Sequence, residues 1–509
     1  MSASTDQTFD VVVIGAGAVG ENTAERAGRT GLSVAVVEDA LVGGECSYWA
    51  CMPSKALLRP GAALAAARGV PGVAEMLTGE LDPAPVLARR DTFTSHWHDD
   101  SQVSWLEGAG ITLIRGRARF TGPRTMTVTA PADGDGSPLT TTVTARHAVI
   151  LATGSTPVVP AIDGLDPSEV WTSREATSVT DVPASLAIVG GGVVAVEMAT
   201  ALTDLGTRVT VVARGDRLLT SSEPFAGEAV AAALTDLGVD IRLGTEVTRA
   251  TATGETGTRT ATRLHLSDGS TVVVEKVLVA TGRRPATTDI GLDAVGLDPE
   301  KPLAVDDAME VLVEPDGAGT GWLFAAGDVT GRAATTHQGK YEGRVAGDVV
   351  AARFGPEGAR GPGPGGPDAP DARTRERSAA RWSQFRASAD HRAVPQVVFT
   401  RPEVSSVGLT EQQARDAGLA IRTIRYDLAS VAGASLVSDD YAGTAQLIVT
   451  TDTRVIVGAT FVGPDAAELL HAATIAVVGE VPLDRLWHAV PAYPTVSEVW
   501  LRLLEEAGL

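Results

Sequence analysis

At about 150 residues per domain, a chain of 509 residues is long enough for three or four domains and needs no disulfide or metal staple to fold. Its 42 basic and 63 acidic residues leave a formal charge of −21, a field that repels phosphate backbones and anionic lipid and argues against nucleic acid or a membrane surface as the main partner. The 55 glycines follow no Gly-X-Y period, and two cysteines are too few for a disulfide scaffold or a cysteine-rich metal site, so no metal is expected.

The stretch Met1 to Asp10 is polar and lacks the basic start of a secretory signal. No uncharged run reaches the ~18–20 apolar residues of a membrane span, so a soluble, cytoplasmic protein is the expectation. Phe9 to Glu38 then reads as strand, turn, helix and strand. The run FDVVVIG is of the continuously apolar kind found in buried parallel sheets. Gly15, Gly17 and Gly20 form G-x-G-x-x-G at a helix start. Such glycines permit a tight turn and close approach of a pyrophosphate, to which the helix offers free N–H groups. The second strand, SVAVVE, ends in Glu38, placed to accept both hydroxyls of an adenosine ribose.

Cys46 and Cys51 follow directly, in GGECSYWACMPSK. Five residues apart in an unbroken helix, their Cα atoms would stand ~8.7 Å from one another. A disulfide spans at most ~7 Å, so a bridge here needs a distorted turn. That strain suits a redox-active bond better than a structural one. The alternative is a pair of free buried thiols; against it, these are the only cysteines in the chain and they flank a nucleotide turn.

The strand–turn–helix pattern recurs in SLAIVGGGVVAVEMATALTDLGTRVTVVAR, with Gly190, Gly192 and Ala195 in the same frame. Glu38 stands 23 residues beyond Gly15, and the same offset from Gly190 falls on Ala213, followed by Arg214 and Arg217. With no carboxylate to repel it, a ribose 2′-phosphate can pair with those guanidiniums, so NADPH is expected there in preference to NADH. The alternative is a pair of solvated surface arginines. Both copies close alike: HAVILATGSTP (147–157) carries Thr153 and Gly154, and EKVLVATGRRP (275–285) carries Gly282. The repeat implies two related nucleotide domains, one interrupted by the other. A later strand, GWLFAAGDVTG, brings Asp328 to a strand end, where an acid can bond a polyol.

From Gly355 to Asp371 the chain has almost nothing apolar to bury and reads as a flexible, partly polyproline-like linker. Arg373, Arg375, Arg377 and Arg381 follow, with Trp382 and Phe385 at helical spacing. A short helix pinned to the surface is the expectation, a docking segment the alternative. Val394 to Leu509 reads as a compact unit of its own.

Together these motifs resemble the FAD-dependent pyridine nucleotide-disulfide oxidoreductases, class I, the family of glutathione reductase, dihydrolipoamide dehydrogenase and mercuric reductase. The residues that carry the resemblance are GAGAVG (15–20), GGECSYWACMPSK (43–55), ATGSTP (152–157), GGGVVAVE (190–197), ATGRRP (280–285), AAGDVTG (325–331) and VPQVVFTRPEVSSVGLTE (394–411). It implies an α/β fold of two Rossmann-like dinucleotide-binding domains plus an α+β C-terminal dimerisation domain. The expected division is an FAD-binding domain with the cysteine pair (1–157), an NAD(P)-binding domain (158–285), a central domain completing the FAD site (286–354), a linker (355–392) and an interface domain (393–509). FAD would lie at Gly15, Gly17, Gly20, Gly44, Thr153 and Gly154, with Glu38 on the ribose and Asp328 on the ribitol. NAD(P)H would lie at Gly190, Gly192, Ala195, Arg214, Arg217 and Gly282. The resemblance makes Cys51 the thiolate against the flavin, Cys46 the sulfur that exchanges with substrate, Lys55 the lysine beside the flavin N5, and Glu197 its partner. It also implies a homodimer with a shared active site.

The chain departs from the family near its end. The family has a histidine before Pro-Thr, five residues ahead of a glutamate, as the base for thiol–disulfide exchange. Here, in WHAVPAYPTVSE, Glu498 and Pro494-Thr495 match but Tyr493 stands in place of the histidine. A phenol is a poor base at neutral pH, though it can donate a hydrogen bond. His488, five residues further back, reads as a structural histidine. Val193 stands where many members have a tyrosine gate, and Ser47, Tyr48 and Trp49 replace the usual Leu-Asn-Val. The expected activity is transfer of electrons from NAD(P)H through flavin to the Cys46–Cys51 bond and on to a small-molecule disulfide. The alternatives are direct reduction of a quinone, dye or metal ion, or a redox-sensing flavoprotein with little turnover.

Overall fold

The computed structural model describes residues 6–133, 137–256, 259–313, 317–356 and 380–509. Most of the expected linker, with Arg373, Arg375 and Arg377, lies outside the described residues. The chain divides into two compact units. One is made of Met1–Cys51, Thr94–Thr156 and Arg283–Asp390, the other of Met52–Phe93, Pro157–Gly282 and His391–Leu509.

The first unit is built on strand β1 (Gln7–Ile14), helix α1 (Ala18–Gly28), strand β2 (Val34–Glu38), helix α2 (Gly44–Tyr48), and the start of α3 (Cys51–Arg68). Helix α4 (Asp100–Gly108), β3 (Thr112–Arg115), β4 (Ser137–Leu151), β5 (Glu310–Leu312), β6 (Gly319–Ala325) and α5 (Thr336–Phe354) follow. Its main sheet runs β5-β6-β4-β1-β2-β3. Along this path every pairing is parallel except that of β5 with β6, while β4 also pairs antiparallel with the strand Thr125–Asp133 off the path. Both faces are covered, which is why β1 is apolar without alternation, with Val11, Val12 and Val13 fully buried. Parallel strands end on one edge, so Gly15, Glu38, Ala152 and the turn at Asp328 gather there, the usual place for a ligand in an open α/β sheet.

Helices α1 and α5 pack very closely. Gly339, Gly343 and Gly347 form a stripe on α5; a Cβ on any of them would run into α1, meeting Val19 Cγ2 at 2.7 Å, Thr23 Oγ1 at 2.6 Å and Arg26 Cβ at 2.5 Å respectively. Near the end of this unit the spacing of Trp382 and Phe385 predicts a helix, but the chain makes turns instead. Ala387 N–H donates to the Asp307 carbonyl at 2.8 Å and Arg386 binds the Asp307 carboxylate at 2.5 Å, which draws the backbone away from a helical path. Phe385 is buried in the core, while exposed Trp382 lies under the Arg381 guanidinium.

Among the described residues the second unit holds three sheets, the smallest an antiparallel one of Val247–Thr256, Arg259–Leu266 and Thr271–Val274. Four parallel strands run in the order Asp240–Arg242, Arg208–Val212, Ser185–Val189, Lys276–Val279, repeating the first unit's logic on a smaller scale. The helix Val193–Asp204 follows the second glycine turn. The C-terminal sheet is antiparallel, with strands Pro395–Val398, Glu403–Gly408, Ile456–Gly463, Thr444–Thr450 and Ile421–Asp427 side by side. Helix Ala466–Val478 packs on it, and Leu436, Ile475, Val490 and Tyr493 are left exposed. Among the described residues no helix is long and apolar enough to cross a membrane.

Candidate active site

In the first unit, β1 runs straight into the glycine turn. Gly15 has φ +99°, and a Cβ there would strike the Ala152 carbonyl; one on Gly20 would strike the Gly15 carbonyl. Gly17 caps α1 with no side chain, so the helix's first N–H groups stay available to an anion. Gly44 closes over the turn, where a Cβ would lie 2.7 Å from Gly17 Cα. At the end of β2, buried Glu38 accepts the Ala16 N–H at 2.7 Å and the Ala40 N–H at 2.8 Å. Burial pushes its pKa up and those two donors work against the rise. Asp328 accepts the Ser155 hydroxyl at 2.6 Å, and Arg283 donates to the same hydroxyl at 2.7 Å and to Glu45 at 2.7 Å. Thr153 Oγ1 donates to the Ala286 carbonyl at 2.8 Å, and the Gly154 carbonyl accepts the Ala286 N–H at 2.9 Å.

This edge fits an extended, anionic dinucleotide such as FAD. Its glycines leave room for backbone approach, and the acid on β2 faces the turn. Thr335, at the N-cap of α5, has a buried hydroxyl with no partner among the described residues, as a donor waiting for a bound group would.

Helix α2 stops at Tyr48 and α3 starts at Cys51; between them Trp49 adopts φ −138°, ψ 2°. The helix is therefore broken between the cysteines, the distortion that a bridge requires, and both stand as half-buried thiols. Cys51 Sγ also lies 3.2 Å from Thr336 Oγ1, at the start of α5. The hydrogen bond to Cys51, then burial, push the Cys46 thiol up; Thr336 and Lys340 oppose this. Sequence reasoning missed the segment Ser95–Gln102, which reaches the same loop. Trp97 Nε1 donates to the Tyr48 carbonyl at 3.2 Å, the Tyr48 hydroxyl donates to Gln102 Oε1 at 2.8 Å, and Asp99 accepts the Val42 N–H at 2.7 Å. It also missed Glu21 on α1, whose pKa burial raises to about 7, with Lys340 opposing and Glu38 adding.

In the second unit, Lys55 on α3 donates to Glu197 Oε2 at 2.7 Å, and Glu197 Oε1 accepts the Phe399 N–H at 3.0 Å. The ammonium lies 4.8 Å from the centre of the Phe399 ring, a cation–π contact. The second glycine turn copies the first: Gly190 has φ +132°, a Cβ would strike the Ala280 carbonyl, and Gly192 caps the helix that contains buried Ala195. Ala213 is buried at its strand end. Arg214 is largely exposed, 4.0 Å from Glu246, an acid that sequence spacing did not bring forward; Arg217 donates to the Thr220 carbonyl at 2.8 Å. Gly282 has φ +140° beyond the Lys276–Val279 strand.

Tyr493 is 75% exposed, while Glu498 is buried. Glu498 Oε1 accepts from Arg502 at 2.6 Å, but its buried Oε2 has no partner among the described residues. His488 is exposed beyond the short helix Leu483–Leu486.

Residues 9–343 match the family profile described as pyridine nucleotide-disulphide oxidoreductase, and residues 394–503 match the dimerisation domain of the same family. The chain belongs to the pyridine nucleotide-disulphide oxidoreductases. It is 30% identical to a mercuric reductase of Staphylococcus aureus over 97% of this chain and 81% of that protein. It is 32% identical to a dihydrolipoyl dehydrogenase of Halobacterium salinarum over 98% of this chain and 96% of that one. Among solved structures, the Cu(II) complex of the HOCl-induced flavoprotein disulfide reductase RclA from Escherichia coli matches with a TM-score of 0.78 at 24% identity, over 98% of this chain and 99% of that one. LpdA from Mycobacterium tuberculosis matches with a TM-score of 0.77 at 24% identity over the same shares. At that identity the two structures bear on the fold alone. As a pyridine nucleotide-disulphide oxidoreductase, the protein is a flavin-dependent enzyme that uses FAD and NAD(P)H and passes electrons from NAD(P)H to a disulfide. Its dimerisation domain supports a homodimer.

Proposed function

We propose that Cys46 and Cys51 are the redox pair and that the protein reduces a small-molecule disulfide whose thiols leave readily. The observation that carries this reading is the helix broken between Cys46 and Cys51, with the Thr336 hydroxyl 3.2 Å from Cys51 Sγ. FAD, when bound, supplies a carrier that takes two electrons from NAD(P)H and delivers them to a disulfide. Gly15, Gly17, Gly20, Gly44, Glu38, Thr153, Gly154 and Asp328 would hold it, and Lys55 with Glu197 would set an ammonium against its ring. The reduced pair then carries out the exchange. The Cys46 thiolate attacks one sulfur of the substrate and expels the other as a thiol; Cys51 attacks the mixed disulfide, releases the second thiol and re-forms the Cys46–Cys51 bond. Two electrons and two protons pass to the substrate. Gly190, Gly192, Ala195, Arg214, Arg217 and Gly282 would hold NADPH, with NADH accepted. We place the reaction in the cytoplasm, in a homodimer whose second copy completes the site, and divide the chain into the five domains bounded at 157, 285, 354 and 392.

A second reading, reduction of a quinone, dye or metal ion, is favoured by Tyr493, which supplies no strong base for thiol exchange. Relatives named mercuric reductase point the same way. Replacing Cys46 by Ser separates the two. The disulfide reading predicts loss of turnover with disulfides while dyes are still reduced; undiminished disulfide turnover would sink it.

A further inference from the structure

The loop that carries the cysteines is held from outside by a segment about fifty residues further along the chain. Ser95, His96 and Trp97 have φ of 49°, 52° and 57°, three successive side-chain-bearing residues in the left-handed region. Through this turn the Trp97 indole N–H meets the Tyr48 carbonyl at 3.2 Å. That carbonyl belongs to the last residue of α2, where the helix leaves acceptors unsatisfied, and it lies between the two cysteines in sequence.

Three further residues grip the same loop. The hydroxyl of Tyr48, a fully buried residue, donates to Gln102 Oε1 at 2.8 Å and approaches the His98 carbonyl at 3.4 Å; Gln102 Nε2 reaches Ser47 Oγ at 3.4 Å. Ahead of α2, Asp99 accepts the Val42 N–H at 2.7 Å and is itself fixed by Arg115 at 2.5 Å. Gly43, at φ +109°, sits between these anchors, and a Cβ there would lie 2.6 Å from Gln102 Nε2 and 3.1 Å from the Tyr48 ring. Burial pushes the Tyr48 phenol up to about 12, so it stays a donor throughout the working range of pH.

We propose that Trp97, Asp99 and Gln102 form a brace that positions the Val42–Tyr48 stretch and thereby holds Cys46 at bridging distance from Cys51. They are positioning residues; none is assigned contact with substrate. The inference rests on the reading of this pair as the redox centre. Holding two thiols together raises their effective concentration and favours the closed disulfide. Loosening the brace therefore makes the disulfide easier to reduce.

The test is the equilibrium of the holoenzyme with glutathione buffers, read by alkylation of Cys46 and Cys51 and mass spectrometry. Trp97→Phe keeps a ring but removes the N–H, and Tyr48→Phe removes one hydroxyl. Each is expected to lower the equilibrium constant for disulfide formation by roughly three- to tenfold, the worth of one hydrogen bond. Trp105→Phe, on the exposed face of α4, serves as control. Constants for both variants that match the control overturn the brace, and so does a shift shared by the control. Disulfide turnover by Cys46→Ser would instead overturn the reading of Cys46 as the exchanging sulfur, and it leaves the equilibrium measurement standing.

Discussion

Lys55 Nζ lies 2.7 Å from Glu197 Oε2, and the carboxylate is almost wholly buried while the ammonium is about one-third exposed. The carboxylate therefore depends on the pair more than the lysine does. Lys55→Met leaves Glu197 with the Phe399 amide alone and is expected to destabilise the protein by about 1–3 kcal/mol. Adding Glu197→Gln removes the charge together with its partner and should recover part of that loss. Thermal unfolding of the two single variants and the double variant decides; a loss in the double variant equal to the sum of the single losses would mean that the two side chains are not coupled.

Glu498 offers a buried oxygen, unpartnered among the described residues, five residues beyond Tyr493. Tyr493→His restores the residue that the family places there, with a carboxylate to orient it. Turnover with lipoamide or glutathione disulfide is expected to rise at least about tenfold, up to the about 10²–10⁴ that a well-positioned base contributes. Steady-state assays across neutral pH check this. No rise would mean that the missing base is not what limits these substrates.

Arg214 and Glu246 stand 4.0 Å apart on the surface beyond the second glycine turn. A 2′-phosphate bound by Arg214 would also meet the Glu246 charge. Arg214→Ala is expected to lower kcat/KM for NADPH about five- to tenfold with little effect on NADH, and Glu246→Gln to raise the value for NADPH. Parallel changes with both nucleotides would remove Arg214 from the phosphate site.

Burial raises the pKa of Glu21 from its ordinary 4.5 to about 7, that of Glu342 to about 8, and that of Asp348 from 3.8 to about 6. A carboxyl whose folded pKa lies above its unfolded value takes up more protons when folded. Its contribution to stability is complete below the unfolded value and is lost as pH rises through the folded one. The unfolding temperature should therefore fall between about pH 5.5 and pH 8.5, and Glu21→Gln should flatten that fall and exceed the wild type at the upper end. Differential scanning at several pH values measures it; identical slopes would exclude Glu21 as a source.

The two glycine turns are legible in the sequence because close backbone approach leaves a local mark: glycine where a Cβ would strike the neighbouring strand end at Ala152 or Ala280. The break at Trp49 is legible too, since an unbroken helix cannot bring Cys46 to Cys51. The brace is not. Its contacts span about fifty residues, and Ser95, His96 and Trp97 adopt a conformation that their own preferences oppose at a cost of about 1–2 kcal/mol each. Glu21 sits beside the first turn, yet its burial depends on α5 lying against α1, which no local pattern encodes. The turns around Trp382 and Phe385 defeated their helical spacing because Asp307, far along the chain, fixes the backbone.

The glycine stripe of α5 has an evolutionary consequence. With no space for even a methyl group against Val19, Thr23 and Arg26, α1 and α5 behave as one yoked part. One helix begins at the dinucleotide turn, the other at the hydroxyl facing Cys51. A substitution at Gly343 would shift both origins at once. Descendants of this chain can retune the thiol pair through side chains such as Thr336 or Trp97, but they cannot do so by sliding either helix, because that move would also disturb the nucleotide seat.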